Sequence, residues 1–327
     1  MAEPPLVEIA GLKRHFDVSP PWLNRAVEGS GRRIVKAVDG LDFAIRRGET
    51  FALVGESGCG KSTVARLIVG LHAPGAGSIR YAGAELGPAS PARRRMQMIF
   101  QDPYASLNPR WRVRDIVAEP IRHNRLLADR AAVAERVAGL LTRVGLSPID
   151  GEKYPHEFSG GQRQRISIAR ALAGEPEFIV CDEPTSALDV SVQAQILNLM
   201  KALQRALGLT YLLISHDLAV VYHVSSRVAV MYLGRICELA DTGTLFGRPR
   251  HPYTRLLLDT IPDLAMSGRE REPVAGEVPS PIDPPPGCAF HPRCPFAEDR
   301  CRLERPELKP AGGAEVACHA VEEGRLS

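Results

Sequence analysis

The sequence predicts an α/β fold in which helices cover the faces of a mainly parallel β-sheet. Apolar runs of strand length alternate with helical stretches along most of the chain, an order typical of this class. A glycine-rich segment of the form G-x-x-x-x-G-K-S lies between one apolar run and the next helical stretch, which is the context this motif needs. The 327 residues suffice for one large domain or two smaller ones.

Composition and charge narrow the class of protein. Hydrophobic residues make up 44% of the chain and charged residues 24%, as in ordinary globular proteins. The net charge of +3, from 41 basic and 38 acidic residues, is too small to indicate a nucleic-acid partner. Neither a stretch of about 18 apolar residues nor a signal-peptide pattern is present. We therefore expect a cytosolic protein that can dock on a membrane protein.

The strands and helices can be placed in order along the chain. The predicted strands comprise residues 6–10, 34–37, 41–46, 51–54, 78–83, 96–100, 178–181, 211–214, 228–232 and 236–239. The predicted helices comprise residues 61–70, 113–144 with a break near 127–129, a helix that begins after Ser159, and 190–206. Residues 17–33 are predicted as an exposed loop, and the proline-rich stretch 262–287 as a linker.

The glycine-rich segment is the candidate phosphate-binding loop. Glycines let the backbone wrap so that its N–H groups point at phosphate oxygens, and the following helix adds positive potential. Lys61 can reach the β- and γ-phosphates, and Ser62 can ligate Mg²⁺. The candidate nucleotide-binding residues are Gly55, Glu56, Ser57, Gly58, Cys59, Gly60, Lys61, Ser62 and Thr63.

Two carboxylates follow the apolar strand at residues 178–181. Side chains alternate along a strand, so Asp182 and Glu183 point in different directions. Asp182 can hold Mg²⁺ or its water shell, and Glu183 can face an attacking water as general base. The alternative is a solvated strand end, which the phosphate-binding loop in the same chain disfavours.

A second helix start could also meet an anion. Ser159, Gly160, Gly161 and Gln162 open a predicted helix with a hydroxyl and two glycines, so backbone N–H groups and the helix dipole could face a γ-phosphate. A single domain needs only one such cradle, and the second one indicates a composite site formed by two protomers. A capped helix with a flexible start is the alternative.

These motifs, in this order and followed by residues 186–189 and His216, resemble the ABC ATPase family over residues 5–260. The resemblance implies the P-loop NTPase fold of an ABC ATPase domain: a RecA-like parallel sheet core, an antiparallel β subdomain and a helical subdomain at about residues 102–172. The domain spans residues 1–260, and residues 261–327 form a proline-rich arm and a small Cys-rich C-terminal extension.

The same resemblance implies roles for residues outside the loop. Two ATPase domains pack head to tail, and the helix that starts at Ser159 closes on the nucleotide held by the partner. Gln101 matches the glutamine that touches Mg²⁺, His216 the histidine that contacts the γ-phosphate, and Asp189 a residue that reaches across the dimer. Phe16 is the candidate for stacking on adenine, and a plain core phenylalanine is the alternative.

Three segments resemble one branch of the family, the oligopeptide/dipeptide importers: residues 100–109, 154–162 and 251–254. Residues 104–109 and the 17–33 insertion look like the F-type subunit. The resemblance implies an ATP hydrolase on the cytoplasmic side of the inner membrane. Its partners are a D-type ATPase subunit or a second copy of itself, two permease subunits and a periplasmic or extracellular binding protein. Nickel chelates and glutathione-like molecules are alternative substrates to peptides.

The sequence disfavours three other functions. A soluble ABC ATPase for DNA repair needs long coiled-coil arms, and no heptad run interrupts this chain. A translation-type ABC protein carries two cassettes, and one is present here. A non-hydrolysing regulatory subunit would lack Glu183 or His216, and both are present.

Four cysteines crowd the last forty residues. Five residues separate Cys288 from Cys294, six separate Cys294 from Cys301, and sixteen separate Cys301 from Cys318. Four thiolates suit an iron–sulfur cluster or zinc, although the closer cysteine pairs usual for zinc are absent, and free thiols are a third possibility. Peptide-importer ATPases carry a similar tail that resembles a four-iron–four-sulfur (4Fe-4S) site. Cys59, Cys181 and Cys237 are predicted as small core or loop residues.

Overall fold

Two sheets and the helices around them form the structure, a computed structural model that describes residues 4–28, 31–259 and 277–326. In chain order the strands are β1 (Val7–Asp17), β2 (Ile34–Ile45), β3 (Thr50–Val54), β4 (Ala76–Tyr81), β5 (Ala84–Glu85), β6 (Met96–Ile99), β7 (Phe178–Asp182), β8 (Thr210–Ile214), β9 (Arg227–Tyr232), β10 (Arg235–Asp241), β11 (Lys309–Ala311) and β12 (Ala314–Val316). The helices are α1 (Trp22–Glu28), α2 (Lys61–Val69), α3 (Pro103–Ser106), α4 (Val113–His123), α5 (Arg130–Arg143), α6 (Gly160–Ala173), α7 (Val190–Leu207), α8 (Leu218–Val224), α9 (Thr242–Gly247), α10 (Pro252–Asp259), α11 (Asp299–Leu303) and α12 (His319–Glu322).

The larger sheet carries the active-site elements. Within the described ranges it has eight strands in the order β11-β12-β10-β9-β3-β8-β7-β6. Strands β6, β7, β8, β3 and β9 pair in parallel. Every residue of β3, β7 and β8 is buried, because apolar side chains cover both faces of a parallel sheet. The predicted α/β class with a parallel core is confirmed.

The smaller sheet is antiparallel, with the order β2-β1-β4-β5 among the described residues. The prediction of two strands at 34–37 and 41–46 is wrong, because β2 runs unbroken from Ile34 to Ile45. The first strand also continues to Asp17. Gly11 (φ 56°) and Gly40 (φ 88°) lie at register shifts of the β1–β2 pair. Glycines that resemble turn signals in the sequence therefore form bulges here, and pairing resumes beyond them.

Helices α4, α5 and α6 form the segment next to the larger sheet. The predicted break after α4 is confirmed, and the Asp129 carboxylate accepts a hydrogen bond from Ala132 N at 3.0 Å at the start of α5. Their apolar faces share one core with α7, including Ile116, Leu141 and Ile166. A helix-period pattern of this kind buries one face of each helix.

The insertion at 17–33 is not wholly irregular, since it contains α1. Pro20 and Pro21 precede this helix, where their missing N–H groups leave no helical hydrogen bond unmade. Pro21 O accepts a hydrogen bond from Arg25 N at 3.1 Å. The exposure expected from the sequence holds for Trp22, which is 69% exposed.

The cysteine-rich extension is joined to the larger sheet. Strand β12 pairs with β10, so that Val316 lies opposite Glu238 and Ala314 opposite Ala240. Phe290 is buried among apolar residues of α10 and of the hairpin formed by β9 and β10. Most of the predicted linker lies outside the described residues. No helix in the described ranges is long and apolar enough to cross a membrane.

Candidate active site

The phosphate-binding loop connects β3 to α2, as the sequence predicts. Gly55 has φ 147°, and a Cβ there would lie 2.1 Å from Met231 O. Gly60 has φ 107°, and a Cβ there would lie 2.0 Å from Ala37 O. Both positions therefore require glycine, because backbone atoms cannot move aside for a side chain. The tight wrap leaves Ser57 and Gly58 exposed at the tip of the loop.

Lys61 is the first residue of α2, and its side chain is only 5% exposed. Its ammonium group donates to Gly55 O at 2.8 Å and to Glu56 O at 2.9 Å. These bonds hold a cation against the loop at the positive end of a helix. The local field therefore favours an anion such as a triphosphate.

An oxygen-rich site for Mg²⁺ lies where α2 begins and β7 ends. Ser62 Oγ donates to Asp182 Oδ1 at 2.9 Å. Burial raises the pKa of Asp182, while the bond from Ser62 lowers it. A hydroxyl and a carboxylate are the hard oxygen ligands that Mg²⁺ prefers, so these residues fit the ion.

Glu183 follows Asp182 and meets two other predicted site residues. Gln101 Nε2 donates to Glu183 Oε2 at 2.8 Å, and His216 Nδ1 lies 3.1 Å from Glu183 Oε1. Strands β7 and β8 are parallel neighbours, with Asp182 opposite Ile214. Strand β6 pairs in parallel with β7 on its other side. The carboxyl ends of β6, β7 and β8 therefore bring Gln101, Glu183 and His216 together at one edge of the sheet.

A small cavity of about 90 Å³ lies beside this carboxylate. Its lining includes Glu183, Ser186, Ser215, His216 and Asp217. The lining groups are polar, and a site of this size and polarity can hold water. The arrangement can therefore place a water molecule next to a carboxylate at the edge of the nucleotide site.

The second predicted cradle is formed by the start of α6. The Ser159 hydroxyl accepts from Gln162 N at 3.4 Å, and the Gln162 side chain accepts from Ser159 N at 3.0 Å. This reciprocal pair confirms Ser159 as the N-cap. Ser159, Gly160 and Gln162 are exposed. The helix start is thus open to a second molecule.

Asp189 and Phe16 lie apart from the carboxylates. Asp189 is the exposed N-cap residue of α7. Phe16 is half-buried near the end of β1, with its ring centroid 5.6 Å from that of His72 and 4.8 Å from Arg14 Cζ.

The cysteines fall into two groups. Cys59, Cys181 and Cys237 are buried among apolar residues, as predicted. All seven cysteines lie in the described ranges and none forms a disulfide. Burial, with smaller contributions from the nearby thiols of Cys318, Cys294 and Cys301, raises the pKa of Cys288 to about 12. In the part of the chain that the structure describes, no group of three or more His, Cys, Asp or Glu side chains could hold one metal ion.

Two contacts from the carboxyl-terminal part reach the phosphate-binding loop. Tyr253 Oη accepts a hydrogen bond from Glu56 N at 2.9 Å. The guanidinium of Arg293 forms a bidentate ion pair with the Glu56 carboxylate, with N···O distances of 2.8 and 3.0 Å. Neither contact has a signal in the sequence, because 237 positions separate Arg293 from Glu56.

A cavity of about 650 Å³ lies away from the nucleotide site. Its lining combines the β9–β10 hairpin with the cysteine-rich extension, including Arg235, Cys288 and Arg305. Arg235 is already paired with Asp39, with its shortest N···O distance 2.8 Å. The cavity lies between the extension and the core. Its lining contains no residue of the phosphate-binding loop, so its size does not make it the active site.

Comparison with known proteins places this geometry in a family. The sequence pattern of the ABC transporter family matches residues 38–186. That of the oligopeptide/dipeptide transporter C-terminal region matches residues 237–301. The putative oligopeptide transport ATP-binding protein YkfD of Bacillus subtilis is 52% identical over 324 residues, 96% of this chain and 95% of that protein. The chain belongs to the oligopeptide/dipeptide branch of the ABC transporter family.

A second relative and a solved structure agree with this membership. The dipeptide transport ATP-binding protein DppF of Escherichia coli is 46% identical over 325 residues, 98% of this chain and 95% of that protein. The ATP-binding cassette MJ0796, solved as a dimer with ADP and Pi, superposes with a TM-score of 0.62 at 25% identity, covering 72% of this chain and 98% of that one. The predicted ABC ATPase fold is confirmed. As a member of this family, the chain is an ATP hydrolase whose reaction is coupled to transport, and ATP and Mg²⁺ are its expected ligands.

Proposed function

We propose that this chain is the F-type ATPase subunit of a peptide importer. The names of its relatives and the matched C-terminal region support peptides over nickel chelates or glutathione-like molecules. Its partners would be a D-type ATPase subunit or a second copy, two permeases and a substrate-binding protein. The chain would sit on the cytoplasmic face of the inner membrane, attached through the permeases.

We assign the residue roles from the family resemblance and from the contacts within the site. The loop N–H groups and Lys61 hold the β- and γ-phosphates, while Ser62, Asp182 and Gln101 hold Mg²⁺. The ion supplies charge neutralisation as the γ-phosphate leaves. Glu183 takes a proton from the attacking water as general base. His216, in contact with Glu183, orients this carboxylate and faces the γ-phosphate.

The single observation that best supports a transport ATPase with a composite site is the exposed start of α6. A capped helix end with exposed Ser159, Gly160 and Gln162 can donate N–H groups to a γ-phosphate held by another protomer. Asp189 is exposed as well, as the proposed contact across the dimer requires. The dimeric state of the similar cassette MJ0796 supports a dimer for this chain as well.

Reconstitution tests this function. The isolated chain at low concentration should hydrolyse ATP slowly, because its α6 lacks a partner nucleotide. Addition of the cognate ATPase partner and permeases in lipid vesicles should raise the turnover number, and a peptide with its binding protein should raise it again. Full turnover in the dilute monomer would contradict the composite site. Stimulation by a nickel chelate but not by peptides would replace the substrate.

We also propose that Cys288, Cys294, Cys301 and Cys318 hold a four-iron–four-sulfur cluster. Burial is the main cause of the raised pKa values of Cys288 and Cys318. Repulsion between neighbouring ionised thiols also raises them. A cluster would keep four thiolates together.

Anaerobic purification tests the cluster. We expect near-stoichiometric iron and sulfide with visible absorption, and loss of both when Cys301 is replaced by Ala. Stoichiometric zinc without a visible band would replace the cluster by a zinc site. Absence of any metal would overturn both assignments and leave the ATPase function untouched.

A further inference from the structure

The side chain of Arg293 joins the cysteine-rich extension to the phosphate-binding loop. This residue ends a short 3-10 turn, His291–Arg293, and its guanidinium is only 4% exposed. Its two terminal nitrogens donate to the two carboxylate oxygens of Glu56, at 2.8 and 3.0 Å. Glu56 is the second residue of the phosphate-binding loop. A paired, planar contact of this kind fixes both position and orientation.

Arg293 is itself held from several sides. Its guanidinium carbon lies 5.8 Å from the ring centroid of Phe290 and 6.0 Å from that of Tyr232. Its backbone N–H donates to Phe290 O at 3.0 Å. Phe290 is buried in the core that the extension shares with the hairpin. The guanidinium therefore occupies one position as long as the extension remains packed.

Glu56 transmits this position to the cation of the site. Its carboxylate pairs with Arg293, its N–H donates to Tyr253 Oη at 2.9 Å, and its carbonyl accepts from Lys61 Nζ at 2.9 Å. Every polar group of Glu56 is thus engaged. A shift of its side chain would move the carbonyl that orients the Lys61 ammonium.

Charge gives Arg293 a second effect. The Glu56 carboxylate is anchored in the loop that faces the triphosphate, so without a partner it would repel the nucleotide. Because Arg293 is buried and Glu56 is half-buried, this repulsion would be screened less than between fully exposed charges. Arg293 neutralises that charge without occupying the phosphate position.

We propose that Arg293 is a positioning residue for ATP binding. It neutralises and fixes Glu56, and it thereby makes the affinity for ATP depend on the packed state of the cysteine-rich extension. The inference rests on ATP binding by this chain, not on the identity of the transported substrate.

Titration of the full chain with Mg-ATP by calorimetry tests this role. In Arg293→Ala, the Kd for Mg-ATP should rise on the order of tenfold, the effect of losing one charge-assisted contact. The matched control is Arg300→Ala, since Arg300 forms ion pairs with Glu304 and Glu323 on the exposed face of the same extension. Its Kd should stay within about twofold of the wild-type value.

A double variant separates positioning from a general loss of structure. Arg293→Ala leaves the Glu56 carboxylate unpaired, whereas Arg293→Ala with Glu56→Gln removes that charge as well. We expect the double variant to recover most of the lost affinity. Amide hydrogen exchange of residues 55–60 should be faster in Arg293→Ala than in Arg300→Ala, a readout of the loop itself.

Several outcomes would overturn the proposal. They are an unchanged Kd in folded Arg293→Ala, a double variant as weak as the single one, or equal exchange of the loop in the two arginine variants. If Arg293→Ala does not fold, Arg293→Lys retains the charge and loses the paired geometry. Its Kd should then lie between the wild-type value and that of a Lys61→Ala variant, and a wild-type Kd would contradict the inference.

Discussion

Glu183 has the left-handed backbone conformation, with φ 47°. This region is costly for a residue with a Cβ and persists only where neighbours fix it. The Glu183 N–H donates to Ile214 O at 2.9 Å, and its carbonyl accepts from Ser186 N at 3.3 Å. The bend turns the carboxylate away from the direction of β7 and towards Gln101 and His216. Local strain thus accompanies the proposed general base.

Replacing Glu183 by Gln tests the proposed base. The amide keeps the size and the contact distance, but it cannot take a proton from water. We expect ATP turnover in the assembled complex to fall about a hundredfold or more, while ATP binding persists and the closed dimer accumulates. Turnover and nucleotide retention, measured beside the wild-type complex, check this. Near-wild-type turnover would exclude Glu183 as the base.

Individual site residues differed in how well the sequence predicted them. Lys61, Ser62, Asp182 and Glu183 follow strands or open helices, so motif spacing predicts where they lie. The contacts of Glu183 with Gln101 and His216 could be expected only from the family resemblance, because they join three separate strands. The partners of Glu56 could not be predicted, because pairing between distant positions leaves no periodic pattern.

At the scale of elements, the contact of α6 with α7 depends on one small residue. A Cβ on Gly161 would lie 2.3 Å from Val192 Cγ1. Val192 is β-branched and its rotamer in a helix is restricted, so it cannot simply turn aside. The exposed start of α6 can therefore approach α7 closely only with glycine at this position.

This contact predicts a paired rescue. Gly161→Ala should lower the free energy of unfolding by about 1–3 kcal/mol through overpacking, and Val192→Ala in the same chain should restore part of it. Urea unfolding of the three variants measures both effects. Gly160→Ala is a milder control, because its Cβ would lie 3.3 Å from Leu188. An additive loss in the double variant would contradict the steric explanation.

The long helices were easier to delimit than strand β2. The bounds of α2, α4, α5 and α7 follow from apolar periodicity, which is local. Strand β2 was wrongly predicted as two strands because Gly40 resembles a turn residue, whereas pairing with β1 continues past the bulge. The helix α1 was missed because the prolines before it and the glycines after it resemble a loop. Long-range pairing decides strand length, and a local pattern does not contain it.

At the scale of the molecule, the extension and the core share a sheet and a buried histidine. Strand β12 continues the larger sheet through β10. Tyr253 N donates to His251 Nδ1 at 3.0 Å, which keeps that nitrogen unprotonated. Burial lowers the pKa of His251 to about 4, although a hydrogen bond with the backbone of Ala317 acts in the opposite direction. His251 thus ties α10, which contacts the phosphate-binding loop through Tyr253, to the extension.

This histidine predicts a loss of stability in mild acid. Its pKa is lower in the folded chain than the ordinary value of 6.5, so the unfolded chain binds more protons between about pH 4 and pH 6.5. Stability must then fall as the pH drops through that window. Between pH 7 and pH 5 the contribution of His251 to the free energy of unfolding should decrease by about 2 kcal/mol.

Urea unfolding at pH 7 and at pH 5, compared between variants, isolates the contribution of His251 to the free energy of unfolding. His251→Asn keeps an acceptor for Tyr253 N but does not titrate, so its stability should change less with pH than that of the wild type. Other titrating groups contribute equally to both chains and cancel in the comparison. The exposed His123 supplies a matched control, and His123→Asn should retain the wild-type pH dependence. Equal pH dependence of the wild type and His251→Asn would mean that His251 does not resist protonation in the fold.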